Sequence, residues 1–276
     1  MNCRDRILLT IVWYLIIAAV AVGQVKVGDK YLLLNAKAHD PLFTTYAAAM
    51  ERSRFFADKA YFMDYFTPDK PITYTSQYAG DLAVIWKVNN MVINQTAQFV
   101  KKPVVVASFP DMAILEYEPF AGLRVQETFF VYSSGAAIID LQITNTGKVE
   151  YKFSLYPVLH LPEDSLQAVR FDSTHQGFIF THHESLVRLH SNLYADRGYP
   201  TDFRNLLACN LTLESYGAYD GCKIEDFYFA VKRLSKVHEN VKELNKRQTG
   251  QAAIVALQKD FDLKPGQRTS VRFVRG

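Results

Sequence analysis

Cysteine is scarce in this sequence, and the shortage removes several classes of protein. Of the three Cys, Cys3 lies at the N-terminus, and the two that remain, Cys209 and Cys222, are too few for a cysteine zinc cage. No His pair stands at finger spacing beside them. Excess charge is lacking too: 31 Lys and Arg against 28 Asp and Glu leave +3 over 276 residues. No stretch interleaves basic and aromatic side chains as a nucleic-acid reader does, so nucleic acid is not an expected partner. No repeat recurs at a fixed period, which excludes a repeat architecture. Beyond the N-terminal segment no apolar run is long enough to cross a bilayer. The 49% hydrophobic and 21% charged residues that make up most of the chain are enough to bury a sizeable core, and they lack the signature of disorder.

What is present begins with an export signal. Arg4 and Arg6 precede an apolar run from Ile7 to Ile17, and Ala21-Val22-Gly23 places small side chains where signal peptidase cuts. Residues 1–23 are therefore expected to be a signal peptide, cleaved after Gly23, with the mature chain sent to a periplasm or to the outside. The alternative is a retained anchor, the one way this chain would meet a membrane, although the run is at the short end of the about 20 residues a bilayer needs. In an oxidising compartment Cys209 and Cys222 form an even pair. They are either a disulfide or two buried reduced thiols, and the sequence leaves both open. Asn94-Gln95-Thr96 and Asn210-Leu211-Thr212 are N-glycosylation sequons, relevant in a secreting eukaryote.

Periodicity divides the rest into an N-terminal extension, residues 24–70, and a strand-rich domain, residues 71–276. In the extension, Tyr46, Ala49, Met50, Ser53, Phe56, Ala57 and Ala60 share one helical face, and Glu51, Arg52, Arg54, Asp58 and Lys59 share the other. Thr44 or Thr45 would cap this helix, and the prolines of Thr67-Pro68-Asp69-Lys70-Pro71 would end it. From Ile72 onward strand-like runs recur at short spacing: Ile72 to Tyr78, Leu82 to Val88, Val104 to Ser108, Met112 to Tyr117, Leu123 to Tyr132, Ala136 to Thr144 and Tyr151 to Leu159. Phe178 to His182, Leu186 to His190, Leu206 to Leu213, Phe227 to Val231, Asp260 to Leu263 and Ser270 to Val274 follow. Breakers separate them, among them Ala79-Gly80-Asp81, Asn145-Thr146-Gly147, Ala218-Tyr219-Asp220-Gly221 and the turn Lys264-Pro265-Gly266-Gln267. Long helical crossovers are missing, so the expected fold class is all-β, a large antiparallel β-sandwich. One further helix is expected inside it, over "VKRLSKVHENVKELNKRQ", with Val231, Leu234, Val237, Val241 and Leu244 at helical spacing and a basic, solvated opposite face.

The segment "EYEPFAGLRVQETFFVYSSGAAIIDLQITNTGKVEYKFSLYPVLHL" resembles the hairpins of the large N-terminal sandwich, of the galactose-mutarotase-like super-sandwich type, that precedes an (α/α)6 barrel in several glycoside hydrolases and phosphorylases. The resemblance rests on the strand Ala136 to Thr144, its Asn-x-Gly turn, the strand from Tyr151 to Tyr156, and the later Leu-Lys-Pro-Gly turn, Leu263 to Gly266, leading into Val271 to Val274. It covers about residues 72 to 276 and is a pattern of strands and turns without a catalytic signature. It implies a noncatalytic domain of a carbohydrate-active enzyme, truncated before its barrel or working with one encoded separately, that packs on the barrel and lends a loop to its cleft. Carbohydrate is then the expected partner. No catalytic residue, metal or cofactor is implied, because in these families the catalytic carboxylates lie mainly on the barrel.

Two other classes stay in play, a stand-alone carbohydrate-binding module and a small mutarotase-like sugar isomerase. Glycoside hydrolysis needs paired carboxylic groups, and the candidates are Glu116 and Glu118, on one face of a strand, Glu127 in the next, and Glu163 with Asp164 in "LPED". His182 and His183 alternate across a strand and cannot share one metal, while His182 and Glu184 share a face. A mutarotase would use His160 or His175 with Glu163 or Glu184 as acid and base. Trp86 and most Phe belong to the core. On the loop "ADRGYPTD", Tyr194 and Tyr199 flank Asp196 and Arg197, the expected sugar contacts, since tyrosine presents a flat ring with a polar tip.

Overall fold

From Ala136 to Asn145 half-buried and buried side chains alternate without a break, the mark of a strand with one face on a core. The computed structural model describes residues 42–44, 61–76, 80–88, 91–109, 111–133, 136–161, 166–182, 204–219, 223–233, 237 and 253–276. Sixteen strands lie among them. They are β1 (Leu42–Thr44), β2 (Tyr61–Asp64), β3 (Thr73–Ser76), β4 (Gly80–Val88), β5 (Met91–Ile93), β6 (Lys101–Ser108), β7 (Met112–Phe120) and β8 (Leu123–Ser133). The second half holds β9 (Ala136–Asn145), β10 (Tyr151–His160), β11 (Leu166–Asp172), β12 (Gly177–His182), β13 (Arg204–Cys209), β14 (Ser215–Tyr219), β15 (Ile254–Leu263) and β16 (Arg268–Arg275). A single α-helix is described, α1 (Ile224–Arg233).

All pairings are antiparallel and form two sheets of eight strands. The first runs β1-β2-β3-β4-β10-β15-β14, with β5 on the edge of β4 beyond β3; the second runs β11-β12-β13-β16-β9-β8-β7-β6. Between them lies one apolar core, in which Trp86, Phe153, Leu155 and Leu257 of the first sheet join Leu115, Phe129, Leu141 and Phe273 of the second. The expected all-β antiparallel sandwich is the fold. β1 and β2, from the stretch read as an N-terminal extension, are part of the first sheet.

Where α1 lies against it, the first sheet is buried on its other face as well, which explains why "LAVIWKV" and "YPVLHL" are continuous apolar runs rather than alternating ones. Phe227 and Val231 of α1 pack there on Ile85, Tyr156, Val158, Tyr219, Ile254 and Ala256. Glu225 and Asp226 occupy the helix's first turn, where negative charge is favoured. At its other end Lys87 Nζ donates to the Val231 carbonyl at 2.8 Å, satisfying one of the acceptors a helix leaves open. Burial lowers the pKa of this ammonium group, against the opposing pull of Asp260.

Four expectations need correcting. Phe227 to Val231, read as a strand, is helical: the five apolar residues look like a buried strand, but Ile224, Phe227 and Val231 fall at three- and four-residue spacing against the sheet. The expected basic helix overlaps α1 only at Val231 to Arg233, and α1 begins seven residues earlier, at Ile224 rather than Val231, with an acidic turn. The rest of that segment, apart from the buried Val237, lies outside the described residues. Finally, Thr44 is in β1 and Tyr61–Asp64 is β2, with Tyr61 and Met63 pointing into the core, where the N-terminal helix pattern was read to run on to Phe66. Residues 45–60, the body of that helix, lie outside the described residues. Ala218 and Tyr219, read as part of a turn, close β14.

Asn145 ties together the two turns on which the family resemblance rests. It is fully buried; its Nδ2 donates to the carbonyls of Val149 and Leu263, both at 2.8 Å, and its Oδ1 accepts the N–H of Gly147 at 2.9 Å. Its backbone N–H and carbonyl pair with Gln267 and Gly266, the latter at φ +77°, a conformation only glycine takes cheaply. The β9–β10 hairpin and the β15–β16 turn thus close on one side chain. Asn145→Ala should leave the Leu263 carbonyl buried without a donor and lower the unfolding free energy by about 2–3 kcal/mol, measured by urea titration with an unchanged m-value.

Candidate active-site cleft

Antiparallel register brings polar residues distant in sequence into rows on the outer face of the first sheet. One row reads Phe62, Thr75, Asp81, His160 across β2, β3, β4 and β10; the next reads Asp64, Thr73, Ala83, Val158. Directly opposed residues on one face have Cβ atoms about 5 Å apart, so Asp81 and His160 are side-chain neighbours. Gly80, at φ +77°, turns the chain into β4, and a Cβ there would come within 2.7 Å of the His160 carbonyl oxygen. Only glycine lets Asp81 approach β10 so closely.

Above these rows the N-terminal turn of α1 adds Ile224, Glu225 and Tyr228, and the loops add Asp69, Lys70, Asn94 and Gln95, enclosing a cleft of about 530 Å³. Asp64 is buried, and its Oδ1 accepts the Thr67 N–H at 3.1 Å, which holds the loop wall in place. The Tyr228 phenol is pushed well above its ordinary pKa, first by burial and then by the charges of Glu225 and Asp81, which sets all three in one electrostatic neighbourhood. Among the described lining residues four carboxylates, Asp64, Asp69, Asp81 and Glu225, stand against Lys70 and His160. The cleft therefore accepts hydrogen bonds from hydroxyl groups and repels anions, and His160 adds an imidazole that can donate or accept one. Among the described residues no three His, Cys, Asp or Glu side chains converge on one point as metal ligands.

A second concentration of titratable groups lies between the sheets. Glu127 of β8, only 1% exposed, accepts hydrogen bonds from Tyr74 Oη of the opposite sheet and from Tyr117 Oη of β7, each at 2.5 Å. Burial raises its carboxyl pKa, and the two phenols pull it partly back. Burial and the charge of Glu127 push both phenols well above their usual range. No substrate reaches this group, and its role is to join the sheets.

Of the residues singled out in the sequence, His160 enters the cleft and Trp86, 1% exposed, is core. Glu116 and Glu118 do share the outer face of β7, but as ion-pair partners: Glu116 with Arg124 at 2.8 Å and Glu118 with Lys101. Glu127 points to the opposite face, so these three carboxylates do not form an acid and base pair across a sugar. His175 lies in the exposed β11–β12 turn on the other sheet, with Nδ1 2.8 Å from Asp172 Oδ2, and hydrogen bonds from His175 and Thr174 hold the Asp172 carboxyl below its usual range. The Cys209 thiol is buried, accepts the Leu211 N–H at 3.4 Å, and is pushed up to about 11 by burial. Cys222, Glu163, Asp164, His183, Glu184, Tyr194, Asp196, Arg197 and Tyr199 lie outside the described residues. Asp81, Glu225 and Tyr228 carry no local motif, and only strand register and the placement of α1 reveal them.

No family model matches the sequence, and no curated protein matches it. Among solved structures the chain is similar to a heparan sulfate lyase mutant of Pedobacter heparinus, at 11% identity and TM-score 0.44 over 87% of this chain and 36% of that one. It is also similar to a chain named a kojibiose phosphorylase, from the human microbiome, at 9% identity and TM-score 0.39 over 84% and 28%. A chain named an aldose 1-epimerase, from Escherichia coli K12, follows at 9% identity and TM-score 0.40 over 86% and 98%. The chain thus spans about a third of the lyase and of the phosphorylase and nearly the whole of the epimerase. At such TM-scores the likeness is one of layout and says nothing of a substrate.

The sign of the Glu127 effect on stability follows from its raised carboxyl pKa. The folded chain holds this proton more tightly than the unfolded one, so the contribution is fully present below the unfolded value, about 4.3, and is lost as pH rises through the folded one. The unfolding free energy of the native chain should fall relative to that of Glu127→Gln between acidic and neutral pH, read from urea titrations across that range.

Proposed function

We propose that this chain is an exported β-sandwich domain that holds carbohydrate in the cleft beside α1 and works as the noncatalytic companion of a catalytic domain in a carbohydrate-active enzyme. The observation that carries this reading is the convergence of Asp81, Glu225, His160 and Tyr228 in an open cleft on the first sheet. Sugar hydroxyls come as dense arrays of donors, each carboxylate accepts from two of them, and a tyrosine ring beside them suits an apolar C–H face. The hairpin resemblance implies an (α/α)6 barrel as the companion. Export rests on the basic, apolar and small-residue order of residues 1–23. Mass spectrometry of the secreted chain should find Gln24 at its N-terminus; an intact N-terminus in the membrane fraction would establish the anchor instead.

Binding tests the rest. Calorimetric titration with uncharged oligosaccharides should show saturable binding that Asp81→Asn weakens about tenfold, while a polyuronate should not bind. Absence of binding by every glycan offered would overturn the reading. A second reading, a mutarotase-like isomerase, is favoured by one observation: His160 and Asp81 face each other as base and acid do in opening a sugar ring. Polarimetry of freshly dissolved aldose in the same samples separates the two, since accelerated anomerisation lost in His160→Ala would make this chain an enzyme.

A further inference from the structure

The cleft does not end at α1. A second groove, of about 770 Å³, opens between that helix and the β4–β5 hairpin, and Asn94, Glu225 and Tyr228 line both. The shared wall follows from helical spacing: Glu225, Tyr228, Phe229 and Lys232 lie three, four and seven residues apart, hence along one flank of α1. Each space falls within the about 300–1,000 Å³ of a small-ligand site. Their chemistry differs. The cleft is carboxylate-rich, whereas the groove is mostly apolar, and its rim carries Phe229 and Met91, each 55% exposed. An exposed aromatic face beside hydrogen-bonding groups is the surface on which the C–H face of a sugar ring stacks, and a polar ring seated at Glu225 and Tyr228 has that surface as its next neighbour.

From this continuity we infer that the two spaces are successive subsites of one site, and that its ligand is an uncharged oligosaccharide running from the cleft over Tyr228 into the groove, with a later sugar stacked on Phe229. This rests on the carbohydrate reading above and adds to it a length requirement and a second set of contacts. Phe229 is a platform residue only; the hydrogen-bonding subsite beside Asp81 stays complete without it. Phe229 is 55% exposed and is not one of the residues that pack with Phe227 and Val231 on the sheet, so its replacement should leave that packing in place.

The experiment is calorimetric titration of the full chain with cello-, malto- and chito-oligosaccharide ladders, comparing disaccharide with hexasaccharide in the native chain, Phe229→Ser and Asp81→Asn, with circular dichroism to check the fold of each. The hexasaccharide of the recognised series should bind at least about tenfold more tightly than its disaccharide. Phe229→Ser should abolish that gain while leaving disaccharide affinity unchanged, and Asp81→Asn should weaken both lengths. Equal affinity for the two lengths, or a length gain that survives Phe229→Ser, would overturn the second subsite and leave the carbohydrate reading standing. No binding at either length in any ladder would remove both.

Discussion

A carboxylate almost sealed from water sits between the two sheets, and much of the architecture depends on its partners being where they are. Glu127 takes one phenol from each side of the sandwich, so the sheets do not slide over one another as two purely apolar faces would. Buried polar groups are tolerable only when fully satisfied, and here both carboxylate oxygens are. Around this point Tyr74 stacks on Phe129, with centroids 3.8 Å apart, and Trp86 meets Tyr117 edge-on. The constraint reaches the other side of the sheet. Tyr74 is flanked in β3 by Thr73 and Thr75, and these two line the outer cleft; pinning the inward side chain fixes the floor on which a ligand would rest.

The second sheet was the most legible part of the sequence. Its strands have one face on the core and one in water, so period-two alternation shows directly, and β9 was placed to within a residue. The first sheet was harder to read for a physical reason. Where α1 covers it, both faces are buried and alternation vanishes, and the helix itself, apolar over Phe227 to Val231, mimics the strands beneath it. Short strands such as β1 and β5, three residues each, are too short to show a period at all.

The site shows the same division between local and distant information. His160 was legible as a candidate acid or base beside a turn, but its neighbour Asp81 is 79 positions away and only the pairing of β4 with β10 joins them. Tyr228 fell in a stretch expected to be a strand and Glu225 just before it, so their common orientation on a helix flank was hidden. The Asn-x-Gly and Lys-Pro-Gly signals, in contrast, were visible as two unrelated turns. That they are halves of one joint at Asn145 is tertiary information, and it gives a reason for both to occur in one chain.

The outermost strand of the second sheet has its own consequence. β6 begins Lys101-Lys102-Pro103, and its ladder to β7 shifts register twice along its length. An incoming strand from another molecule would meet two positive charges, a residue with no N–H to donate, and a backbone that is out of step before a few bonds have formed. The edge is therefore a poor template for polymerisation, and this sandwich can be crowded with copies of itself without that side seeding a fibril.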